Sequence, residues 1–267
     1  MTTIKQTLTN QPRTDTPVPA QRSTAKRVVN PSQRRAEIMI ASLFLLTAAA
    51  SIVGGSLLDP KLESHDYLAW IFPNKGAVQL DALLISINNI GIVFIAVFAF
   101  PLLRKLDEAL AASYLATRIV ECTLMMVGIV AILLLIPLSQ AFLAAGATQN
   151  PSLVAIGDRL KDLKSLAQFQ VAMPLLGLGG CFFTWTLFRF RLLPRWLAGF
   201  GLFSYALVFL AGIGSWFDLV SFSLMGGSGI LAGSGMLLSL PVAFWEIILM
   251  PFWLFFRGFA TVEPRLT

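Results

Sequence analysis

The sequence predicts an all-α polytopic membrane protein, a bundle of six transmembrane helices. Of its 267 residues 56% are hydrophobic and only 13% are charged, against about 25% charged in globular domains. The apolar residues fall in six long runs, and none of these alternates with a period of two as a transmembrane β-strand does. Helices, which satisfy their own backbone hydrogen bonds in lipid, are therefore expected.

Each apolar run is long enough to cross roughly 30 Å of hydrocarbon. The spans are predicted at about 38–58, 80–103, 114–138, 166–188, 196–217 and 236–256. With their loops they make a transmembrane domain over residues 36–260. The Gly- and Ser-rich stretch 221–235 is either a flexible connector or a re-entrant segment, and the sequence leaves both interpretations open.

Residues 1–35 are polar and rich in Thr and Pro, and they are predicted to be a disordered, basic cytoplasmic tail. Too few apolar residues are present to offset the entropy of ordering. The tail holds one acid, Asp15, against seven basic residues: Lys5, Arg13, Arg22, Lys26, Arg27, Arg34 and Arg35. We expect these to contact anionic lipid, at roughly 1 kcal/mol per residue near the surface. Residues 261–267 form a short C-terminal tail.

The distribution of Lys and Arg predicts that the N-terminus and C-terminus are both cytoplasmic. In that orientation fourteen of the twenty basic residues lie on the inner side, five lie on the outer side, and Arg118 lies within a span. The inner set beyond the tail is Arg104, Lys105, Arg189, Arg191, Arg195, Arg257 and Arg265. The outer set is Lys61, Lys75, Arg159, Lys161 and Lys164.

The third predicted span carries an Arg–Glu pair near its inner end. Arg118 and Glu121 are three residues apart, so both side chains lie on one face of the helix. Two interpretations remain open. Arg118 snorkels to the inner headgroups with Glu121 as its local partner, or the pair belongs to a buried polar site.

Glu246 lies at the centre of the sixth predicted span, ten residues from each end. A carboxylate at mid-bilayer costs roughly 2.5–3.5 kcal/mol on insertion scales, so it is expected to be paired, protonated or in contact with water. Asn88 and Asn89 of the second span are predicted to lie within roughly 5–8 Å of its depth. Asp81 lies near the outer boundary of the same helix.

These polar residues make one candidate intramembrane cluster: Arg118, Glu121, Glu246, Asn88, Asn89 and Asp81. If the helix faces converge, the cluster has one of two roles. Its members form hydrogen bonds between helices, worth around 0.6–2 kcal/mol per contact, or they form a series of polar groups that relays protons. The first interpretation requires fewer coincidences and is favoured.

The residue inventory disfavours several site chemistries. His65 is the only histidine, and neither Cys122 nor Cys181 belongs to a CxxC motif, which disfavours a histidine-built metal site, a bis-histidine haem and a nucleophile–base pair. No phosphate-binding glycine motif is present. The net charge of +6 reflects topology. We expect no cofactor, no metal and no nucleic-acid partner; the expected partner is the lipid bilayer, and protein partners are left unspecified.

Three stretches resemble a known family. They read PLLRKLDEALAASYLATRIVE at 101–121, LFRFRLLPRWLAGFGLFSYALVFL at 187–210 and PVAFWEIILMPFWLFFRGF at 241–259. In order and spacing they are similar to the bacterial integral membrane proteins grouped as domain of unknown function 4386 (DUF4386), over about 35–260. The matching positions are Arg118 and Glu121, the turn of Leu193, Pro194 and Arg195, and the set of Glu246, Trp253, Leu254 and Gly258. The resemblance implies a helical membrane protein of six to seven spans, with no established activity.

Three functions fit these observations, all for a multi-pass protein of a bacterial inner (plasma) membrane. The favoured one is a non-enzymatic protein with a buried Arg/Glu cluster between helices. The second is a small proton-coupled transporter that uses Glu246 as its titrating group, although no internal repeat is visible. The third is an intramembrane lipid-modifying enzyme, which lacks a nucleophile–base pair.

Overall fold

The computed structural model describes residues 31–146, 150–222 and 234–260, and in this part of the chain every regular element is helical. The helices are α1 (Pro31–Leu62), α2 (Tyr67–Ile71), α3 (Lys75–Leu103), α4 (Glu108–Ala144), α5 (Pro151–Arg189), α6 (Arg195–Trp216) and α7 (Ser234–Phe256). All but the short α2 are long and apolar enough to cross a membrane. The prediction of an all-α protein with six spans is confirmed.

The helices extend beyond several of the predicted spans. α1 begins at Pro31, so residues 31–35, which the sequence assigned to the tail, are helical. α5 begins at Pro151, fifteen residues before the predicted span at 166. Hydropathy marks only the part of a helix that lies in lipid, whereas backbone hydrogen bonding continues past it. The rest of the tail (1–30), the segment 261–267 and most of the stretch 221–235 lie outside the described residues.

The six long helices form a closed ring. Each packs on the next in the order α1, α3, α4, α5, α6 and α7, and α7 returns to α1. The return contact is made by the second half of α7, Trp245–Leu249 and Met250–Phe256, while its first half packs mainly on α6. α1 and α7 are therefore closest at one end of the ring.

Glycines allow α5 and α6 to approach closely. A Cβ at Gly177 would lie 2.5 Å from the backbone nitrogen of Phe209, and one at Gly212 would lie 2.6 Å from Cδ of Pro174. A Cβ at Gly180 would overlap the ring of Tyr205. These positions bring Tyr205 into the ring interior, where it reaches the site described below.

Two π-helical turns interrupt the long helices. One is Leu166–Val171 in α5, and the other is Trp245–Leu249 in α7. A π turn inserts one residue into the helical repeat and so changes which side chains point inward. Each of these turns carries a polar residue towards the centre of the ring, Gln168 in the first and Glu246 in the second.

A clasp of Arg34 and Glu37 in α1 holds the end of α7. The Arg34 guanidinium donates to the carbonyl oxygen of Leu254 at 2.6 Å and to that of Phe255. Glu37 pairs with Arg34 at 3.3 Å and accepts the backbone N–H of Phe259 at 3.0 Å. The last carbonyls of a helix lack intrahelical donors, so a cation there is favourable. Arg34, which the sequence assigned to the disordered tail, thus has a structural contact.

Candidate functional site

Arg118 and Glu121 of α4 form an ion pair inside the ring. Nη1 of Arg118 lies 2.8 Å from Oε2 of Glu121, and each residue is 3% exposed. A guanidinium that snorkelled to the headgroups would be exposed, so this burial excludes the snorkelling interpretation. The guanidinium also lies 5.4 Å from the ring centroid of Tyr114, whose ring stacks on Phe183 at 4.8 Å.

The Arg118–Glu121 pair is tightly enclosed on the α5 side. A Cβ at Gly179 would lie 2.5 Å from the hydroxyl of Thr117 and 3.8 Å from Nε of Arg118. Nε is buried and makes no hydrogen bond with a described residue. The small residue on α5 therefore makes room for the guanidinium without offering it a partner there.

Glu246 is placed by the π turn of α7 and held by α6. Its Oε1 accepts a hydrogen bond from the hydroxyl of Tyr205 at 2.5 Å. The neighbouring indole, Trp245, donates to the carbonyl of Leu197 at 3.0 Å and makes an edge contact with Tyr205, with ring centroids 5.6 Å apart. Gly201 admits this indole, because a Cβ there would lie 2.7 Å from it. The turn that carries Glu246 is thus anchored on α6.

Glu246 forms no ion pair with any described residue. It lies within electrostatic range of Arg118, but the guanidinium bonds to Glu121 instead. Of the two carboxylates, only that of Glu121 is therefore neutralised by direct contact. The half-buried side chain of Glu246 faces open space within the ring.

That space is a cavity of about 250 Å³, which we call the central cavity. Its polar lining includes Arg118, Glu246, Asn88 and the ring of Tyr114, and most of the other lining side chains are apolar residues of α1, α3, α5 and α7. A second compartment of about 160 Å³ adjoins it and shares Glu246 and Asn88. Glu121 and Gln168 line this second compartment.

The structure brings four of the six predicted polar residues to these cavities: Arg118, Glu121, Glu246 and Asn88. Asn89 is adjacent and fully buried: its Oδ1 accepts a hydrogen bond from the side-chain amide of Asn88 at 3.1 Å, and its Nδ2 donates to no described residue.

Asp81 does not join the cavity. It lies near Lys164 and Asp59, which form an ion pair of their own. Of the six candidate residues, Asp81 is therefore the one that lies apart from the others, about two turns of α3 from Asn88. Its Oδ2 is buried and accepts no hydrogen bond from a described residue.

Sequence reasoning missed Gln168, Tyr205 and Tyr114. Gln168 is 6% exposed at the start of an apolar run, and a search for amides near span ends would have found it. Neither tyrosine carries a local signal, because tyrosines are common in membrane helices and only the ring closure brings these two to the glutamates.

The chemistry available at the cavity is ionic and hydrogen-bonding. Within residues 31–146, 150–222 and 234–260 no three His, Cys, Asp or Glu side chains come together as metal ligands. The charged lining consists of one guanidinium and two carboxylates, with amides from Asn88 and Gln168. Such groups can bind a polar or charged head, and the apolar walls can enclose a hydrophobic body.

Comparison with known proteins gives one match. The family model described as Domain of unknown function (DUF4386) matches residues 39–258, which is most of the chain. This confirms the resemblance seen in the sequence. No curated protein and no solved structure matches.

Proposed function

The chain belongs to the DUF4386 family, and we propose that it is a non-enzymatic membrane protein whose central cavity holds a small lipophilic molecule. The observation that supports this proposal is the position of Glu246, which lines an open cavity and makes no ion pair with a described residue. A polar cluster that only joined helices would leave no space between its members. Pockets with apolar walls and a few convergent polar groups are typical of small-molecule sites.

We place the entrance to the cavity between α1 and α7, facing the bilayer. Ile52 of α1 lines the cavity and is 63% exposed, so the lining reaches the outer surface of the ring there. Ser239 and Ala243 line the facing side of α7, in the half that packs mainly on α6. A molecule dissolved in the lipid would enter at this gap without crossing the ring.

The cellular setting that fits this proposal is a bacterial inner membrane with both termini in the cytoplasm. The support is the excess of Lys and Arg on the inner side, fourteen residues against five. The basic residues within 1–30 are proposed to contact anionic lipid of the same leaflet.

Blocking the cavity tests the proposal. Ala48 lines the central cavity, and its neighbour Ala49 is exposed and does not. We expect wild type and Ala49→Trp, purified in native-membrane nanodiscs, to retain a small-molecule adduct in native mass spectrometry. Ala48→Trp should lose it while unfolding at a similar temperature. No adduct on the wild type, or the same adduct on Ala48→Trp, would contradict the proposal.

A second candidate function is proton-coupled transport. It is favoured by one observation, that Glu246 and Glu121 line the same compartment beside Asn88 and Gln168. Carboxylates in contact with a membrane cavity are the usual groups of proton relays. In proteoliposomes with a trapped pH dye, transport predicts a pH-driven proton flux that Glu246→Gln abolishes. Equal flux from wild type and Glu246→Gln would eliminate this candidate.

A further inference from the structure

The charges that line the two compartments do not balance. Arg118 and Glu121 neutralise one another at 2.8 Å, and both are buried. Glu246 has no such partner among the described residues, and its only hydrogen bond comes from a neutral hydroxyl, that of Tyr205. The remaining polar lining groups, Asn88 and Gln168 among them, are uncharged. The site therefore carries one carboxylate more than it carries cations.

The unmatched carboxylate has one oxygen available. The Tyr205 hydroxyl bonds to Oε1 of Glu246, whereas Oε2 accepts no hydrogen bond from a described residue. An ionised carboxylate in an apolar setting is stable only with a counter-charge. Arg118 does not supply this counter-charge, because its short contact is with Glu121. A bound cation would supply it.

The ring of Phe44 lines the central cavity together with this carboxylate. Tyr114 lines the cavity as well, but its ring already stacks on Phe183 and holds the Arg118 guanidinium. The face of an aromatic ring attracts a cation, and the combination of rings with a carboxylate is a common way to bind substituted ammonium groups. The rest of the lining is mostly aliphatic and suits a hydrophobic body.

We propose that the central cavity binds a small lipophilic monocation, an arylalkyl- or alkyl-ammonium whose charged nitrogen lies between Glu246 and the ring of Phe44. This inference rests on the proposed function and specifies its ligand. A cavity of about 150 Å³ is enough for benzene, so the 250 Å³ of the central cavity suits one ring with a branched substituent. A proton on Glu246 is the competing way to remove the charge, and it would favour a neutral ligand instead.

An isosteric pair of probes separates these possibilities. Benzyltrimethylammonium and neopentylbenzene have the same shape and differ in charge. The full-length protein in zwitterionic nanodiscs is dialysed against each probe, and binding to empty nanodiscs is subtracted. We expect wild type to bind the cation more tightly than the neutral isostere. Glu246→Gln should bind the cation roughly tenfold more weakly or worse, because it loses a charge–charge contact.

The matched control removes a carboxylate elsewhere. Glu108 is an exposed residue in the first turn of α4 and does not line the cavity, so Glu108→Gln should bind the cation as wild type does. If Glu246→Gln fails to fold, the preference of the wild type for the cation still decides the question. Equal or tighter binding of the neutral isostere would overturn this inference and leave the proposed function standing. If neither probe binds, both are contradicted.

Discussion

At the level of single residues, the three charged side chains that line the two compartments have different environments. Arg118 and Glu121 form an ion pair with each other, whereas Glu246 accepts a hydrogen bond from the Tyr205 hydroxyl and pairs with no cation among the described residues. Removing one member of a buried ion pair leaves an uncompensated charge, and removing both members does not. The pair should therefore contribute to stability only as a unit, separately from the function of Glu246.

A double-mutant cycle tests this distinction. We expect Arg118→Met alone to lower the free energy of unfolding by about 3–5 kcal/mol, because Glu121 is then buried without a partner. Replacing Glu121 with Met as well should restore most of that loss. Equilibrium unfolding in mixed micelles measures wild type, Arg118→Met, Glu121→Met and the double mutant. Additive losses in the double mutant would show that the pair is not coupled.

At the scale of elements, the helices are shaped by features that interrupt regular geometry. The π turn of α7 turns Glu246 inward, and the clasp of Arg34 and Glu37 fixes where α7 ends. Gly258 lies within this clasp with a φ of 65°. Any residue other than glycine is strained at this positive φ, and its Cβ would overlap the carboxylate of Glu37.

Substitution of that glycine tests the clasp. Gly258→Ala should lower the stability by about 1–3 kcal/mol, through the strained backbone and the displaced carboxylate. Gly199→Ala is the matched control, because its Cβ would meet only Phe188, at 3.8 Å, inside a regular helix. Thermal unfolding in detergent measures both. A Gly258→Ala protein as stable as the Gly199→Ala protein would mean that the clasp is dispensable.

At the scale of the whole molecule, the architecture and the cavity differ in how far the sequence determines them. Six apolar runs predict six helices, because the bilayer thickness sets their length and the backbone groups in lipid must form hydrogen bonds with one another. The closure of the ring is not predictable from one sequence, since it depends on which faces pack. Asp81 shows this limit, because it shares a helix with Asn88 and yet lies in a different polar cluster. Tyr205 shows it too, since only the ring brings it to Glu246.

Topology is the prediction that belongs to this scale. With both termini in the cytoplasm, a green fluorescent protein fused after Thr267 should fluoresce, and alkaline phosphatase at the same point should be inactive. The Lys and Arg excess in the inner loops gives the physical reason. An active phosphatase fusion would show that the C-terminus lies outside the cytoplasm and would contradict the predicted orientation. It would not bear on the cavity.

The reactivity of a cysteine inside the cavity tests whether the space beside Glu246 is open. Thr47 lines the central cavity and is 5% exposed, while Thr184 is fully buried away from it, and each hydroxyl bonds to its own helix. With Cys122 and Cys181 replaced by Ala, N-ethylmaleimide is added to nanodiscs holding Thr47→Cys or Thr184→Cys. We expect Thr47→Cys to react and Thr184→Cys to remain unmodified. If Thr47→Cys is as unreactive as Thr184→Cys, the space beside Glu246 is closed, and the polar cluster only holds the helices together.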